Sequence, residues 1–356
     1  MTGLLRRGPT RDTLLLSPGR GAVAFRISRS SALLTAAAGT AALAVATVSL
    51  TLGVFPIGVG DVITVLGGGG TLIERDIVLN DRLPRALTGL GVGAAFALSG
   101  ALLQRIAANP LVSPDVIGIN SGAAMGALVV LLILGGSGLQ LVLGALSGAL
   151  LAAVLILLIA YKRGLHGFRL VLVGIGVAAM LSSATSYLLT RADINRAMSA
   201  AAWLTGSLAN RGGLHVAIIV TALAVTVPVL IVGSRHLRLL ELGDDLTRTL
   251  TGAGQGRKVV LLLVAVVLAA LATAAAGPIG FVALVAPQIT RRILAERQVG
   301  LAPSAAVGAL LVVSADLAGR LLFAPTEMPV GVLTAVFGAP VLLYLLARAH
   351  RIGAAG

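Results

Sequence analysis

The residues able to do chemistry in this 356-residue chain are few, and nearly all are charges. Arg82 and Arg85 stand three apart in "RLPR", at the mouth of a long apolar run. Asp316 and Arg320 stand four apart near the end of another. On a helix each spacing puts the pair on one face. Such groups pair with carboxylates, with phosphates or with one another; they do not make a nucleophile. The more reactive possibilities fail on spacing. There is no HExxH, and the four histidines, at 166, 215, 236 and 350, are scattered. There is no cysteine, hence no disulfide, thiolate metal site or redox motif. "GAGQGRK" (252–258) lacks the spacing of a phosphate-binding loop, and Lys258 is followed by Val259 where such a loop has Ser or Thr. The chain itself is therefore expected to hold no catalytic residue, no metal and no cofactor.

The elements that position these charges are membrane spans. The chain is 57% hydrophobic and 11% charged, against about 25% charged in a soluble domain. Uncharged runs exceed the roughly 20 residues that cross a bilayer. The net charge of +14 fits basic cytoplasmic loops beside lipid, so no nucleic acid partner is expected. Six arginines precede Ser30, as in a signal peptide. The uncharged stretch then runs to Gly60, too long for a 7–15-residue signal core, so an uncleaved first span is expected.

Bounding charges predict an all-α integral membrane protein with ten spans. Residues 31–53 and 86–104 make the first two. "GGSG" at 135–138 splits the run between Asp115 and Lys162 into a third and fourth. Residues 170–190 and 212–234 make the fifth and sixth. "AGPIG" (276–280) divides the run after Lys258 into a seventh span and a short eighth, 281–290. Residues 303–322 and 328–347 complete the set. Residues 1–30 form a cytoplasmic basic tail, 31–347 the ten-span domain and 348–356 a cytoplasmic C-tail. "AMSAAAWLTGSLAN" (197–210) is too short to span at about 1.5 Å per residue. It is predicted as a re-entrant or interfacial helix, carrying the only tryptophan, Trp203.

With both termini inside, the N-tail, Arg105, the loops at 162–169, 235–258 and 291–297 and the C-tail place 20 of the 27 basic residues in the cytoplasm. This is the expected positive-inside bias. Arg82 and Arg85 then face outward, and spacing alone reads them as snorkelling anchors at the headgroups. The span middles contain no acid, which argues against a proton- or sodium-coupled carrier. The largest internal cytoplasmic loop, 235–257, holds "LGDDLTRTL". Gly243 breaks the chain, Asp244 and Asp245 suit a helix N-terminus, Leu246 and Leu250 share a face, and Arg248 lies opposite. A short amphipathic helix there offers a partner protein something to grip.

Several stretches together resemble the FecCD-type permeases of ABC importers for iron-siderophore complexes, haem and cobalamin. They are "RLPRALTGLGVGAAFALSGALLQRIAANPLVSPDVIGI" (82–119), "WLTGSL" (203–208), "LLELGDDLTRTL" (239–250), "AGPIGFVALVAPQITRRI" (276–293) and "ADLAGRLLFAPTEMPVGVLTAVFGAPVLLYLL" (315–346). "LLELGDD" and "GFVALVAPQITRRI" look most like the ferric catecholate siderophore permeases. The resemblance departs at Gln288, where a histidine usually follows the proline.

The resemblance implies a bacterial cytoplasmic-membrane permease that pairs with an identical or paralogous second permease subunit. It also implies two cytoplasmic ATPase subunits, which use ATP and Mg, and an extracytoplasmic siderophore-binding protein. Arg82, Arg85 and Arg320 match arginines that receive acidic residues of that binding protein. The segment from Gly243 to Leu250 matches the helix that couples to the ATPase. The expected cargo is a ferric siderophore, with haem or cobalamin as the alternative. Ser182, Ser183, Thr185 and Ser186 on the fifth span are a candidate wall of the passage, or else small residues for close helix packing. A secondary transporter or passive channel, and a sensor that kept the fold without transport, are the competing classes.

Overall fold

The computed structural model describes residues 5–7, 13–16, 25–161, 167–240, 254–294, 300–324 and 326–353. A backbone in lipid must satisfy its own hydrogen bonds, and the apolar runs form helices accordingly. In chain order these are α1 (Arg29–Thr51), α2 (Val59–Leu66), α3 (Leu72–Ile106), α4 (Pro114–Ile117), α5 (Ile119–Leu134), α6 (Leu139–Ala160), α7 (Gly167–Arg191) and α8 (Ile194–Leu204). They continue as α9 (Gly213–Leu240), α10 (Gly254–Ala276), α11 (Val282–Leu294), α12 (Leu301–Leu321) and α13 (Val330–Gly353). Each of the ten expected spans falls on one of these helices. Seven are long and apolar enough to cross a membrane, α5 and part of α13 are shorter apolar helices, and α11 has 13 residues.

The all-helical expectation needs one correction. Leu5–Arg7, Thr13–Leu16 and Phe25–Ser28 in the basic tail pair as a small antiparallel sheet, β1–β2–β3. The expected interfacial helix at 197–210 also differs. It begins earlier, as α8, and stops at Leu204. Residues 205–208 then fold back, with the Ser207 N–H donating to Ala276 O at 2.8 Å.

Helix α3 is the axis of the molecule. It packs against α1, α9, α10, α11 and α12, and 72% of its most apolar window is buried, against 17% for α7. Small residues permit this. Gly93 of α3 and Gly308 of α12 lie backbone to backbone, each occupying the space where the other's Cβ would stand. Likewise Gly122 and Gly126 of α5 face Gly144 and Gly148 of α6. Two GxxxG spacings thus interlock, a pattern that lets membrane helices approach closely.

The helix ends sort into two groups. One group joins the C-termini of α1, α10 and α12 to the N-termini of α3 and α13 and to residues 203–207. The other joins the N-termini of α1, α7 and α12 to the C-termini of α3 and α11. These groups coincide with the outside and inside that the basic residues predict.

Candidate functional site

At the outer end, the C-termini of α1 and α12 meet residues 82–85 of α3 and bring the arginines together. Arg82 closes the π-helical stretch Asp76–Arg82. It turns towards α1, donating from Nη1 to Leu50 O at 2.7 Å and from Nη2 to Phe55 O at 2.5 Å. Arg85 turns the other way. Its Nε donates to Asp316 Oδ2 at 3.0 Å, its Nη2 to Asp316 Oδ1 at 2.9 Å, and its Nη1 to Glu327 Oε2 at 2.8 Å. Arg320 donates from Nη2 to Ser49 O at 3.2 Å, and its Nε lies 3.6 Å from Asp316 Oδ2. The Asp316–Arg320 pairing expected from the i, i+4 spacing is present, and Arg85 joins it from 231 residues away.

The cluster corrects the snorkelling reading. Arg82 and Arg85 are 5% and 6% exposed, so neither lies along a lipid-facing surface. They also do not act as one pair on one helix face, because each is claimed by a different neighbour. Asp81, next to Arg82 in sequence, acts on both Arg82 and Arg320, so three arginines face three carboxylates and the cluster is balanced in charge. The buried Nε of Arg320 makes no hydrogen bond among the described residues and has only its 3.6 Å ion-pair contact to Asp316. Glu327 was not singled out by sequence reasoning. Its charge was visible, but the connection between α12 and α13 that carries it to Arg85, 242 residues distant, was not.

The remaining candidates are placed differently. Gly243, Asp244, Asp245, Leu246, Arg248 and Leu250 lie outside the described residues. Ser182, Ser183 and Ser186 sit on an exposed face of α7, and Thr185 alone is buried, 3.7 Å from Met125 Sδ. Ser183 and Ser186 donate back to Ala179 O and Ser182 O, the usual way for a helix to satisfy a hydroxyl. Gln288 is 3% exposed, inside the protein. Its Nε2 donates to Gln104 Oε1 and Pro110 O, both at 2.8 Å, and Gln104 Nε2 donates to Leu284 O at 3.3 Å. The departure at this position therefore serves an internal brace between α3, α11 and the 107–113 loop.

Asp115, the charge that bounds the third span in the sequence, is drawn in among the helices. The chain from Ala107 returns into the interior before α5 begins. A methyl group on Gly174, two turns into α7, would meet the backbone of Ile117 at 2.8 Å. Asp115 lies two residues before Ile117, inside the helix body. Its carboxylate accepts from Asn120 Nδ2 and from the backbone N–H of Phe281, and Thr273 Oγ1 donates to Asn120 Oδ1 at 3.2 Å. Phe281 has φ 66°, an uncommon conformation for a bulky residue. Its side chain lines a largely apolar cavity of about 300 Å³ between α11, α12 and α13, with Ser314 and Thr334 the polar side chains on its wall.

Comparison with known proteins gives consistent matches. Residues 41–348 match the FecCD transport family. The ferric enterobactin transport system permease protein FepG of Escherichia coli (strain K12) is 40% identical over 278 residues, covering 77% of this chain and 83% of that protein. The probable siderophore transport system permease protein YfhA of Bacillus subtilis (strain 168) is 37% identical over 294 residues, covering 80% and 86%. Among solved structures, an inward-facing ABC transporter of the metal-chelate type superposes with a TM-score of 0.77. It is 26% identical, and the match covers 89% of this chain and 99% of that one.

Proposed function

The chain belongs to the FecCD transport family, and we propose that it is the permease subunit of an importer that carries an iron(III)-siderophore complex into the cytoplasm. The observation that carries this reading is the 37–40% identity, over about four-fifths of the chain, to permeases named for ferric enterobactin and siderophore transport. The ten helices, sorted into two ends, form the membrane body. ATP is bound and hydrolysed by two partner subunits, and residues 243–250 are the contact through which they act. A conformational cycle driven this way requires ATP to bind the outward- and inward-open states with different affinities.

A second permease subunit covers the exposed flank of α7, where Ser182, Ser183 and Ser186 stand. In a one-chain body these hydroxyls face outward, and they become a passage wall only when a second subunit faces them. Arg82, Arg85 and Arg320 are the docking posts for an extracytoplasmic binding protein. The gathering of the three arginines at one end of the body, with the half-exposed Glu327 beside them, supports that role.

The test is reconstitution in proteoliposomes with the ATPase and binding protein that co-purify with the chain. Uptake of a ferric catecholate should require both partners and hydrolysable ATP. Uptake independent of ATP would identify a secondary transporter or channel. Uptake of haem or cobalamin in preference to ferric siderophores would move the substrate, leaving the importer class standing.

A further inference from the structure

The docking posts carry an obstacle of the chain's own making. Arg85 has its Nε and Nη2 committed to Asp316 and its Nη1 to Glu327. Of these acids, Asp316 is fixed: its side chain is 9% exposed, it makes two contacts to Arg85, and Arg320 stands on its other side. Glu327 is different. Its side chain is 43% exposed, and a single oxygen makes the contact. The route from solvent to the Arg85 guanidinium therefore passes through the position that the Glu327 carboxylate fills.

We propose that Glu327 is a placeholder for a carboxylate of the binding protein. On docking, an acidic side chain of the partner takes over Nη1 of Arg85, and the displaced Glu327 moves into solvent. The proposal rests on the docking reading above. One carboxylate replaces another on the same donor, so the exchange itself is close to neutral, and the rest of the interface decides it. A salt bridge this exposed is weak enough to yield, whereas the buried Asp316 contact is not.

The exchange has somewhere to go. Glu327 lies three residues ahead of α13. Next to it the Met328 N–H donates to Gly319 O at 3.2 Å, and the Gly331 N–H donates to Gly206 O at 3.0 Å. From there Ser207 reaches the end of α10 through Ala276 O. The turn that carries Glu327 is held by these backbone bonds to α12, the strap after α8 and the end of α10, so the carboxylate can swing out while the turn stays in place.

The experiment measures affinity of the purified, acidic extracytoplasmic binding protein for the complete transporter in nanodiscs. Glu327→Asp keeps the charge but shortens the reach, and Glu327→Gln removes the charge. Both should bind the partner about two- to fivefold more tightly than wild type, the range of a half-exposed ion pair. Arg85→Gln, and Arg85→Lys in case the first does not assemble, should bind more weakly. If Glu327→Asp matches wild type while the Arg85 variants bind weakly, the placeholder idea is overturned and docking stands. If assembled Arg85 variants bind normally, the docking reading itself falls.

Discussion

Arg85 and Asp316 meet through two parallel hydrogen bonds, 2.9 and 3.0 Å long, with both side chains under 10% exposed. The contact ties the second span to the ninth in the least solvated part of the outer end. A buried pair of this kind adds little net stability over an apolar substitute, but removing one partner leaves an uncompensated charge. Asp316→Ala should cost about 3–5 kcal/mol, seen as a fall in thermal unfolding temperature of the detergent-solubilised protein. Arg85→Met with Asp316→Leu should recover most of that loss. An Asp316→Ala protein as stable as wild type would show that the pair is not desolvated in the membrane.

The interlocked glycines predict a contrast between positions. Gly→Ala in a helix interior is worth up to about 1 kcal/mol in favour of alanine. At Gly39 and Gly176, where a methyl group meets nothing within 4 Å, that substitution should be neutral or slightly stabilising. At Gly126 and Gly148 the methyl would enter the backbone of the facing helix, so Ala should lower the yield of folded protein and Val should abolish it. Monodispersity by size-exclusion chromatography, variant by variant, checks this. Equal behaviour at all four positions would mean that α5 and α6 are not in close contact.

The polar cluster around Asp115 predicts a graded series. Asp115→Asn retains an acceptor for the Phe281 N–H, whereas Asp115→Val strands both that donor and Asn120. An unsatisfied buried group costs about 1–3 kcal/mol, so the order of stability should be wild type, then Asn, then Val. Phe281→Gly removes the need for an uncommon φ, and the penalty of Asp115→Val should shrink in that background. A double-mutant cycle measured by thermal unfolding gives the coupling, and strict additivity would dissociate Asp115 from the chain break at Phe281.

Because the chain has no cysteine, single introduced thiols report topology without a background. Cysteines at 67–70 should react with impermeant maleimide from outside in intact cells, and those at 243–255 only after the membrane is opened. Outside labelling at 243–255 would invert the orientation and remove the ATPase contact with it.

How far the sequence could be read depended on which physical signal each feature leaves. Spans were legible because Arg105, Lys162, Lys258 and Arg291 bracket apolar runs, and charge is expensive in lipid. The close Asp316–Arg320 contact was legible because i, i+4 spacing is local. The surroundings of Asp115 were not, since a half-buried acid bonded to Asn120 looks the same in sequence as one ending a loop; only the re-entry before α5 distinguishes them. The direction of Ser182, Ser183 and Ser186 was equally hidden, because small polar residues suit a helix contact and a passage wall alike. The two acids on Arg85 could not be seen because their partner is more than 200 residues away in sequence.

Helix α3 has 35 residues, about 50 Å of helix against a hydrocarbon core of about 30 Å. Arg82 reaches Leu50, at the top of α1, so Leu72–Asp81 extends α3 past the arginines by roughly 15 Å, at the helical rise per residue. It does not stand alone. Val62 and Val65 of α2 pack with Ile57 and Val78, and through them with Ala46 and Leu50 of α1 and Ala86 of α3, which stiffens the projection into a parapet. For the binding protein proposed above, this wall bars one flank of the approach. That protein's azimuth about the membrane normal is fixed by shape before any ion pair forms, and a partner rotated half a turn would strike the parapet before its acids reached the arginines.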